Sequence, residues 1–248
     1  MNTPQKAMVI WLHELGGVGK NMARHTLMTT ISEHMPWISW AFPEASPRPV
    51  TCRGGAEVPA WFDMKEHPVS GNEQHAGLPE AVAMVHTMVK NAIRLGFSRN
   101  RIVLAGFSQG GVLAMQAALT CEEPLAGVAA LGAWLPAGSL AAAEHPGTPF
   151  LLINGDCDTV VPLDVALQGA ESLVDAGYPV RFCNYRGLRH AIGDVHIDDF
   201  LQFLQEIVPG DVETPQSLHK NDETKHASQE DWQAAQSSIE EEQDGVAT

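Results

Sequence analysis

Apolar residues along this chain form short continuous runs, and longer stretches with apolar residues on one face lie between them. The short runs are typical of parallel strands that are buried on both faces. The longer stretches predict amphipathic helices, because their apolar residues recur about every three to four positions. The predicted strands are 8–12, 38–42, 102–105, 125–134, 150–153 and 180–185, and the predicted helices are 21–35, 78–95, 112–119, 164–176 and 197–208.

The alternation of strands and helices predicts an α/β fold with a mostly parallel, doubly wound sheet and helices on both faces. Residues 43–59 and 65–77 show no such period and are predicted to be irregular loops, and 137–149 is predicted to be a linker. The chain length fits one sizeable domain with its own core. We therefore expect one folded domain in residues 1–209 and a separate tail in residues 210–248.

The tail differs from the rest of the chain in charge. Of the net charge of −15, residues 211–248 carry −8, from ten acidic residues and two lysines. Trp232 is the single aromatic residue of this polar segment, so the segment cannot bury enough apolar surface to offset its ordering entropy. We expect a largely disordered tail with a short helix at 229–241. A solvated extension without a specific role is one interpretation, and a docking segment for a protein partner is the other.

Composition excludes several classes of function. The negative charge argues against nucleic acid or an anionic membrane as a main partner. No apolar run reaches the ~18 residues of a membrane span, and the first residues do not form a secretory signal. The four cysteines lie far apart without a C-x-x-C spacing, which is typical of reduced thiols. We therefore expect a cytoplasmic protein.

Two partial motifs after the first predicted strand fail on their spacing. His13 and Glu14 begin an H-E-x-x-H zinc motif, but position 17 is glycine. Lys20 would end a phosphate-binding P-loop, but the glycine required earlier in that motif is Glu14. We therefore expect neither a metal nor a nucleotide cofactor. What remains is a glycine-rich loop at the carboxyl end of a strand.

The pentapeptide Gly106-Phe-Ser-Gln-Gly110 lies between a predicted strand and a predicted helix. A G-x-S-x-G sequence in this context is typical of a nucleophile elbow. The turn is so tight that any Cβ at Gly106 or Gly110 would collide with neighbouring backbone. Ser108 should then stand above the sheet edge, with the Gln109 N–H at a helix N-terminus ready to stabilise an oxyanion. The alternative is a glycine-rich turn with a surface serine.

A serine nucleophile needs a base and an acid, and both should follow later strands at the same sheet edge. His190 follows one such strand directly, whereas His196 is better explained as the start of the last helix. The order serine, aspartate, histidine is that of the α/β-hydrolase fold.

Two aspartates compete for the place of the acid. Asp158 lies at the tip of the loop after strand 150–153, and we expect it to orient His190. Asp156 lies closer to the strand end, where we expect it to fix the turn by Asx-type hydrogen bonds. Cys157 between them is predicted to be a small buried filler rather than a nucleophile.

Several blocks of this sequence resemble the acyl-protein thioesterases, within the phospholipase/carboxylesterase group of α/β-hydrolases. The resemblance covers residues 7–209. The three blocks that look like the catalytic blocks of this family are Gly106-Phe-Ser-Gln-Gly-Gly111, Gly155-Asp-Cys-Asp158 with Val161-Pro162, and Tyr185-Arg-Gly-Leu-Arg-His190. Similar supporting motifs are Arg48-Pro-Val-Thr51, Pro59-Ala-Trp-Phe-Asp63, Leu125-Ala-Gly127 and Trp134-Leu-Pro136.

The resemblance implies a serine hydrolase whose catalytic domain is residues 1–209 and which needs no cofactor. It implies a triad and an oxyanion hole, formed by Ser108, His190 and Asp158 and by the N–H groups of Leu15 and Gln109. It implies an apolar acyl channel near Trp61, Trp134, Leu135 and Val161. The implied substrates are palmitoyl-cysteine thioesters of proteins, with activity on lysophospholipids and short esters.

The oxyanion loop departs from the family pattern. That pattern reads His-Gly-Leu-Gly-Asp, and here the loop is His13-Glu-Leu-Gly-Gly17. Glu14 therefore adds a side chain and a charge at a normally bare position, and Gly17 lacks the aspartate. We expect these changes to affect the geometry of the Leu15 N–H and to leave the triad intact. The block that usually reads His-Ala-Pro is Glu44-Ala-Ser46 here.

Two other functions stay open on the sequence alone. A general carboxylesterase on small esters would use the same triad, so the motifs do not separate it from a thioesterase. A non-catalytic binding module could keep the fold, with Glu14 disabling the oxyanion loop and the acidic tail docking a partner. The intact set of Ser108, Asp158 and His190 argues against the binding module.

Overall fold

The computed structural model of the chain describes residues 6–143 and 145–210. The acidic tail, with the helix predicted at 229–241, lies outside these residues. The strands are β1 (Ala7–Leu12), β2 (Ile38–Ala41), β3 (Pro47–Val50), β4 (Ala56–Pro59), β5 (Ile102–Phe107), β6 (Gly127–Leu131), β7 (Phe150–Gly155) and β8 (Val180–Tyr185). The helices are α1 (Gly19–Met22), α2 (Thr26–His34), α3 (Leu78–Arg94), α4 (Gln109–Leu119), α5 (Leu163–Asp175) and α6 (Ile197–Ile207).

Six strands form one parallel sheet in the order β2-β1-β5-β6-β7-β8. Alternate residues of β1 enter different cores, because side chains along a strand point to opposite faces. Met8 and Ile10 pack in the core that contains α3, α4 and α5, and Val9 and Trp11 pack in the core that contains α2 and α6. The sheet is thus covered on both faces, and the predicted doubly wound architecture is confirmed.

The prediction of an irregular loop at 43–59 is wrong. Strands β3 and β4 form a small antiparallel ribbon, separate from the main sheet. The ribbon turns through Gly54 and Gly55, whose φ angles of 65° and 81° suit glycine. Strand β3 reads Pro-Arg-Pro-Val, and prolines argue against a strand in a central position but not in a two-stranded ribbon. The ribbon leads directly into Trp61 and Phe62.

Three other boundaries differ from the prediction. The helix expected at 21–35 is interrupted between α1 and α2, where the His25 Nδ1 caps α2 by accepting the Leu27 N–H at 3.2 Å. The strand expected at 125–134 ends at Leu131, because Gly132 turns the chain with a φ of 52°. The linker at 137–149 contains a short 3-10 turn at Ser139–Ala142.

Two remaining expectations concern the ends of the fold and the membrane. Helix α6 ends at Ile207, so a domain boundary at residue 209 fits the described residues and stays a prediction. Within residues 6–143 and 145–210, none of the helices combines the length and the apolar character that crossing a membrane requires.

Candidate active site

Ser108 occupies a strained turn between β5 and α4. Its φ of 53° and ψ of −120° make it the one residue other than glycine with a positive φ in the part of the chain that the structure describes. Such a conformation costs about 1–3 kcal/mol and persists where the surroundings enforce it. The Ser108 N–H donates to the Leu131 carbonyl at 2.8 Å, so the end of β6 helps to hold the turn.

The two glycines of the elbow are enforced by backbone crowding, as predicted. A Cβ at Gly106 would lie 2.6 Å from the Gly110 carbonyl oxygen and 2.7 Å from that of Leu12. A Cβ at Gly110 would lie 2.0 Å from the same Leu12 oxygen. The register explains the crowding, because Leu12 at the end of β1 pairs with Gly106. The elbow therefore packs against the start of the loop that follows β1.

His190 and Asp158 form a direct pair at the carboxyl edge of the sheet. The His190 Nδ1 lies 2.7 Å from Asp158 Oδ2, and the other carboxylate oxygen accepts the N–H groups of Val160 and Val161 at 2.8 Å each. Asp158 is 7% exposed, so both of its oxygens are committed within the protein. A carboxylate at Nδ1 selects the tautomer that carries its proton there and leaves Nε2 free to accept one.

The imidazole of His190 is held beside the elbow. Its ring stacks on that of Phe107, with 4.7 Å between centroids, and Phe107 directly precedes Ser108. A Cβ at Gly132 would lie 3.3 Å from His190 Cε1, so the end of β6 borders the ring as well. Among the hydrogen bonds of the described residues, none joins Ser108 Oγ to His190. Catalytic hydrogen bonds often tighten only when substrate is bound.

Asp156 has a different role from the predicted one. Its Oδ1 accepts the Gly187 N–H at 2.6 Å and so ties the loop after β7 to the loop that carries His190. The short Asx-type bond expected of Asp156 is made by Asp158 with Val160. His196 lies in a short 3-10 turn (Asp194–His196) before α6, where its Nδ1 accepts the Gly193 N–H at 3.3 Å. Its interpretation as a helix-start residue is confirmed.

The prediction that Cys157 is buried is wrong. The residue is exposed at the turn after β7, and its thiol donates a hydrogen bond to Asp156. That bond and the charge of Asp156 raise the pKa of the thiol. The sequence pattern could not show this, because a cysteine between two aspartates fits both a buried and an exposed turn.

The loop after β1 is fixed by the ring of His13, which is buried. The Nδ1–H of His13 donates to the Glu14 carbonyl at 2.7 Å, and Nε2 accepts the Ala45 N–H at 3.0 Å. Trp61 Nε1–H donates to the His13 carbonyl at 2.8 Å. Burial lowers the pKa of His13, so its ring is neutral and serves both as donor and as acceptor.

A tight turn in this loop carries Leu15. The Gly17 N–H donates to the Glu14 carbonyl at 2.8 Å, and Gly16 has a φ of 76°. The Gly16 N–H donates to the Pro59 carbonyl at 2.8 Å, which joins the turn to the end of β4. In the described residues, the N–H groups of Leu15 and Gln109 make no hydrogen bond, as an oxyanion hole requires.

Gln109 has a second role that the sequence did not indicate. Its side chain is fully buried, with Oε1 accepting the Trp61 N–H at 2.9 Å and Nε2 donating to the Phe62 carbonyl at 2.8 Å. The elbow helix thereby anchors the segment that follows β4. These partners lie 47 and 48 residues away along the chain, so no local pattern could have revealed them.

The four residues predicted to line an acyl channel do not share one environment. Trp61, Trp134 and Val161 are 3%, 1% and 0% exposed and pack in the core on the α3 face of the sheet. Leu135 is partly buried and lines a cavity of about 160 Å³ between α5 and the segment 135–141. As substrate contacts, all four stay predictions. Within the described residues, no group of three or more His, Cys, Asp or Glu side chains has a geometry that would hold a metal ion.

A model of the phospholipase/carboxylesterase family matches residues 1–208. The chain belongs to this family. A probable carboxylesterase of Oryza sativa is 35% identical over 194 residues, covering 75% of this chain and 72% of the relative. An acyl-protein thioesterase 1 of Neurospora crassa is 30% identical over 215 residues, covering 82% and 87%. The crystal structure of Arabidopsis thaliana SOBER1 superposes with a TM-score of 0.76 at 30% identity, covering 82% of this chain and 99% of that one.

Family membership confirms two expectations from the sequence. The fold is that of an α/β-hydrolase. The chain is an enzyme of the serine-esterase type.

The side chain of Gln109 gives a prediction on stability. Gln109→Met keeps the size of the side chain but leaves the Trp61 N–H and the Phe62 carbonyl unpaired, which should lower the free energy of unfolding by about 2–4 kcal/mol. Urea denaturation measures this. Gln116→Met on the same helix is the control, because Gln116 Nε2 is buried without a hydrogen-bond partner in the described residues. Equal losses for the two variants would contradict the anchoring role of Gln109.

Three buried histidines of this chain predict that its free energy of unfolding depends on pH. Burial lowers the pKa of His13, and likewise of His75 and His196, from the ordinary value of 6.5. The unfolded chain therefore binds more protons than the folded chain below about pH 6.5, so the free energy of unfolding falls as the pH drops. Each histidine contributes at most about 1.4 kcal/mol per pH unit. Urea denaturation between about pH 7 and pH 5.5 should show a shallower slope for His13→Gln. An unchanged slope would contradict a neutral, buried His13.

Proposed function

We propose that this enzyme removes long acyl groups from S-acylated cysteines of proteins, with Ser108 as nucleophile, His190 as base and Asp158 as the residue that orients the base. The observation that carries this assignment is the 2.7 Å pair of His190 Nδ1 and Asp158 Oδ2 beside the strained serine elbow. Two of the fungal relatives are named acyl-protein thioesterase 1, which supports a thioester as the substrate.

Acylation begins when His190 Nε2 takes the proton of Ser108 Oγ as that oxygen attacks the thioester carbonyl carbon. The carbonyl oxygen becomes an oxyanion, which the N–H groups of Leu15 and Gln109 stabilise. Loss of one such donor typically costs ~3 kcal/mol of transition-state stabilisation. The carbon–sulfur bond then breaks, the cysteine thiolate takes the proton from His190, and the acyl group stays on Ser108.

Deacylation repeats these steps with water as the nucleophile. His190 takes a proton from the water as it attacks the acyl carbonyl, and then returns this proton to Ser108 Oγ as the fatty acid leaves. Asp158 stays ionised throughout and stabilises the imidazolium that forms in each half-reaction. Its other oxygen accepts two backbone N–H groups, which hold the carboxylate in place beside His190.

The cavity beside Leu135 is the proposed site for part of the acyl chain. Its lining combines the apolar side chains of Leu135, Leu140 and Val165 with polar side chains, among them those of Asn72 and Gln168. It lies at the carboxyl edge of the sheet, where the loops with Asp158 and His190 also lie. The apolar part of this lining suits a segment of a hydrocarbon chain, which needs apolar surface and few polar partners.

A carboxylesterase on small esters is the second candidate, and the size of the same cavity favours it. About 160 Å³ is below the ~300–1,000 Å³ of typical small-molecule pockets. The relative from Oryza sativa is named a probable carboxylesterase. Lysophospholipids, which carry a long acyl chain on an ester bond, are included in this second candidate.

The proposed location is the cytoplasm, where S-acylated cysteines of membrane-attached proteins are accessible. The four cysteines are free thiols, which supports a reducing compartment. A role of the acidic tail in docking a partner is a further proposal, on residues outside those described.

Hydrolysis of a palmitoyl-cysteine peptide beside p-nitrophenyl butyrate tests the proposed function. The full chain and its Ser108→Ala variant are compared on both substrates. Preferential turnover of the thioester that is lost in the variant supports depalmitoylation. Turnover of the short ester alone assigns the enzyme to small esters. Turnover of neither by folded protein would overturn both candidates and favour the binding module.

Filling the cavity gives a prediction on chain length. Val165→Phe should remove space for about two methylenes, each worth ~0.8 kcal/mol, and so lower kcat/KM for palmitoyl thioester roughly 15-fold relative to p-nitrophenyl butyrate. Leu167→Phe on the same helix is the matched control, because Leu167 is 38% exposed and does not line the cavity. An equal effect of the two variants on both substrates would show that the acyl chain binds elsewhere.

A further inference from the structure

The side chain of Glu14 folds back over the turn that carries Leu15. A Cβ at Gly17 would lie 2.8 Å from Glu14 Cδ and 2.9 Å from Glu14 Oε2. Contacts this short do not occur, so the carboxylate of Glu14 occupies the space that a side chain at position 17 would need. Glycine at position 17 and glutamate at position 14 are therefore linked by packing.

The carboxylate of Glu14 lies beside Gly17 in a turn whose backbone is already held by hydrogen bonds. The Glu14 carbonyl accepts two hydrogen bonds, from His13 Nδ1–H and from the Gly17 N–H. The peptide that joins Glu14 to Leu15 supplies the Leu15 N–H, so the orientation of this donor depends on how firmly residue 14 is held. Gly16 and Gly17 provide no side chain to hold the turn from outside.

We propose that Glu14 is a positioning residue of the oxyanion hole, whose carboxylate packs over Gly17 and fixes the direction of the Leu15 N–H. This inference rests on the proposed function of Ser108. Glu14 and Gly17, the two departures of this loop from the family pattern, are then one coupled change, because the carboxylate of Glu14 takes the space beside Gly17. Glu14 supports the hole, in contrast to the disabling role considered for it on the sequence alone.

Steady-state hydrolysis of p-nitrophenyl butyrate by the full chain tests this coupling. Glu14→Gly removes the support and should lower kcat roughly 10-fold with KM nearly unchanged, because the hole acts on the transition state. Gly17→Ala should have a similar effect, because its Cβ displaces the carboxylate. Glu14→Gln keeps the shape of the side chain and should retain most of the wild-type kcat.

The double variant Glu14→Gly with Gly17→Ala separates coupling from independent damage. A Cβ at position 17 would also lie 2.9 Å from the Glu14 carbonyl oxygen. This backbone contact is present whether residue 14 is glutamate or glycine. We expect Gly17→Ala to lower kcat by a smaller factor once Glu14 is glycine, because only the backbone contact then remains, whereas independent effects would multiply to roughly 100-fold.

Three results would overturn the inference. They are kcat losses that multiply in the double variant, an unchanged kcat in both single variants, and a loss of kcat that parallels a lowered urea midpoint of unfolding. If a variant does not fold, the rate of Ser108 labelling by a fluorophosphonate in the remaining folded variants decides between the outcomes. If the wild type shows no turnover, or if its turnover does not require Ser108, the proposed function itself fails. The two failures are therefore distinguishable.

Discussion

Ser108→Ala is expected to lower kcat/KM for acyl esters and thioesters by about 10⁴-fold or more, with the fold intact. The variant lacks the oxygen that forms the acyl-enzyme in the proposed mechanism. The backbone also predicts a difference between two variants at this position. Because Ser108 has a φ of 53°, Ser108→Gly should be more stable to urea than Ser108→Ala, by about 1 kcal/mol.

Labelling by a fluorophosphonate probe provides the second measurement for this prediction. The wild type should be labelled on Ser108, and neither Ser108 variant should be labelled. Activity of Ser108→Ala within about tenfold of the wild type would place the nucleophile elsewhere in the chain.

Asp158→Asn should reduce kcat by about 10⁴-fold through the tautomer of His190. One carboxylate oxygen accepts the N–H groups of Val160 and Val161, so the amide oxygen of an asparagine would keep that place. The amide NH₂ would then face Nδ1, which lies 2.7 Å from the other oxygen in the wild type. A donor opposite Nδ1 moves the ring proton to Nε2, and His190 can then no longer accept the proton of Ser108.

Asp156→Asn is the matched control for this variant. The side chain of Asp156 accepts hydrogen bonds from the Gly187 N–H and from the Cys157 thiol, and the side-chain oxygen of an asparagine can accept the Gly187 N–H equally well. Its kcat should stay within about fivefold of the wild type. Equal losses at Asp156 and Asp158 in p-nitrophenyl butyrate hydrolysis would mean that the loop conformation, rather than the charge on Asp158, limits the rate.

The parts of the fold that could be predicted from sequence depend on local patterns. Edge strand β8 was predicted with its observed limits, and the other strands of the main sheet with shifts of a few residues. The buried strands among them, such as β1 and β5, are visible in the sequence because they contain continuous apolar runs. The elbow was predicted because the G-x-S-x-G pattern spans only five residues, although the backbone that crowds its glycines includes Leu12 at the end of β1. The ribbon of β3 and β4 was missed because its prolines are compatible with a strand only when that strand lies outside the main sheet.

The parts of the site that could not be predicted depend on contacts between distant segments. Nothing near Gln109 in the sequence indicates that its side chain binds the backbone of Trp61 and Phe62. The burial of Trp61 and Trp134 is likewise a tertiary property, and an aromatic residue before a loop fits both a core and a cleft wall. The packing of Glu14 over Gly17 could not be predicted either, because it depends on the backbone conformation of the turn.

Direct detection of the acyl-enzyme is the measurement that tests the central claim of this account. The full chain is mixed with a palmitoyl-cysteine peptide, quenched with acid within the first turnover, digested and analysed by mass spectrometry. The proposed mechanism predicts a palmitoyl group on the peptide that contains Ser108 and an unmodified peptide around the exposed Cys157. A palmitoyl group on Cys157, or continued turnover without any acylated Ser108, would contradict it.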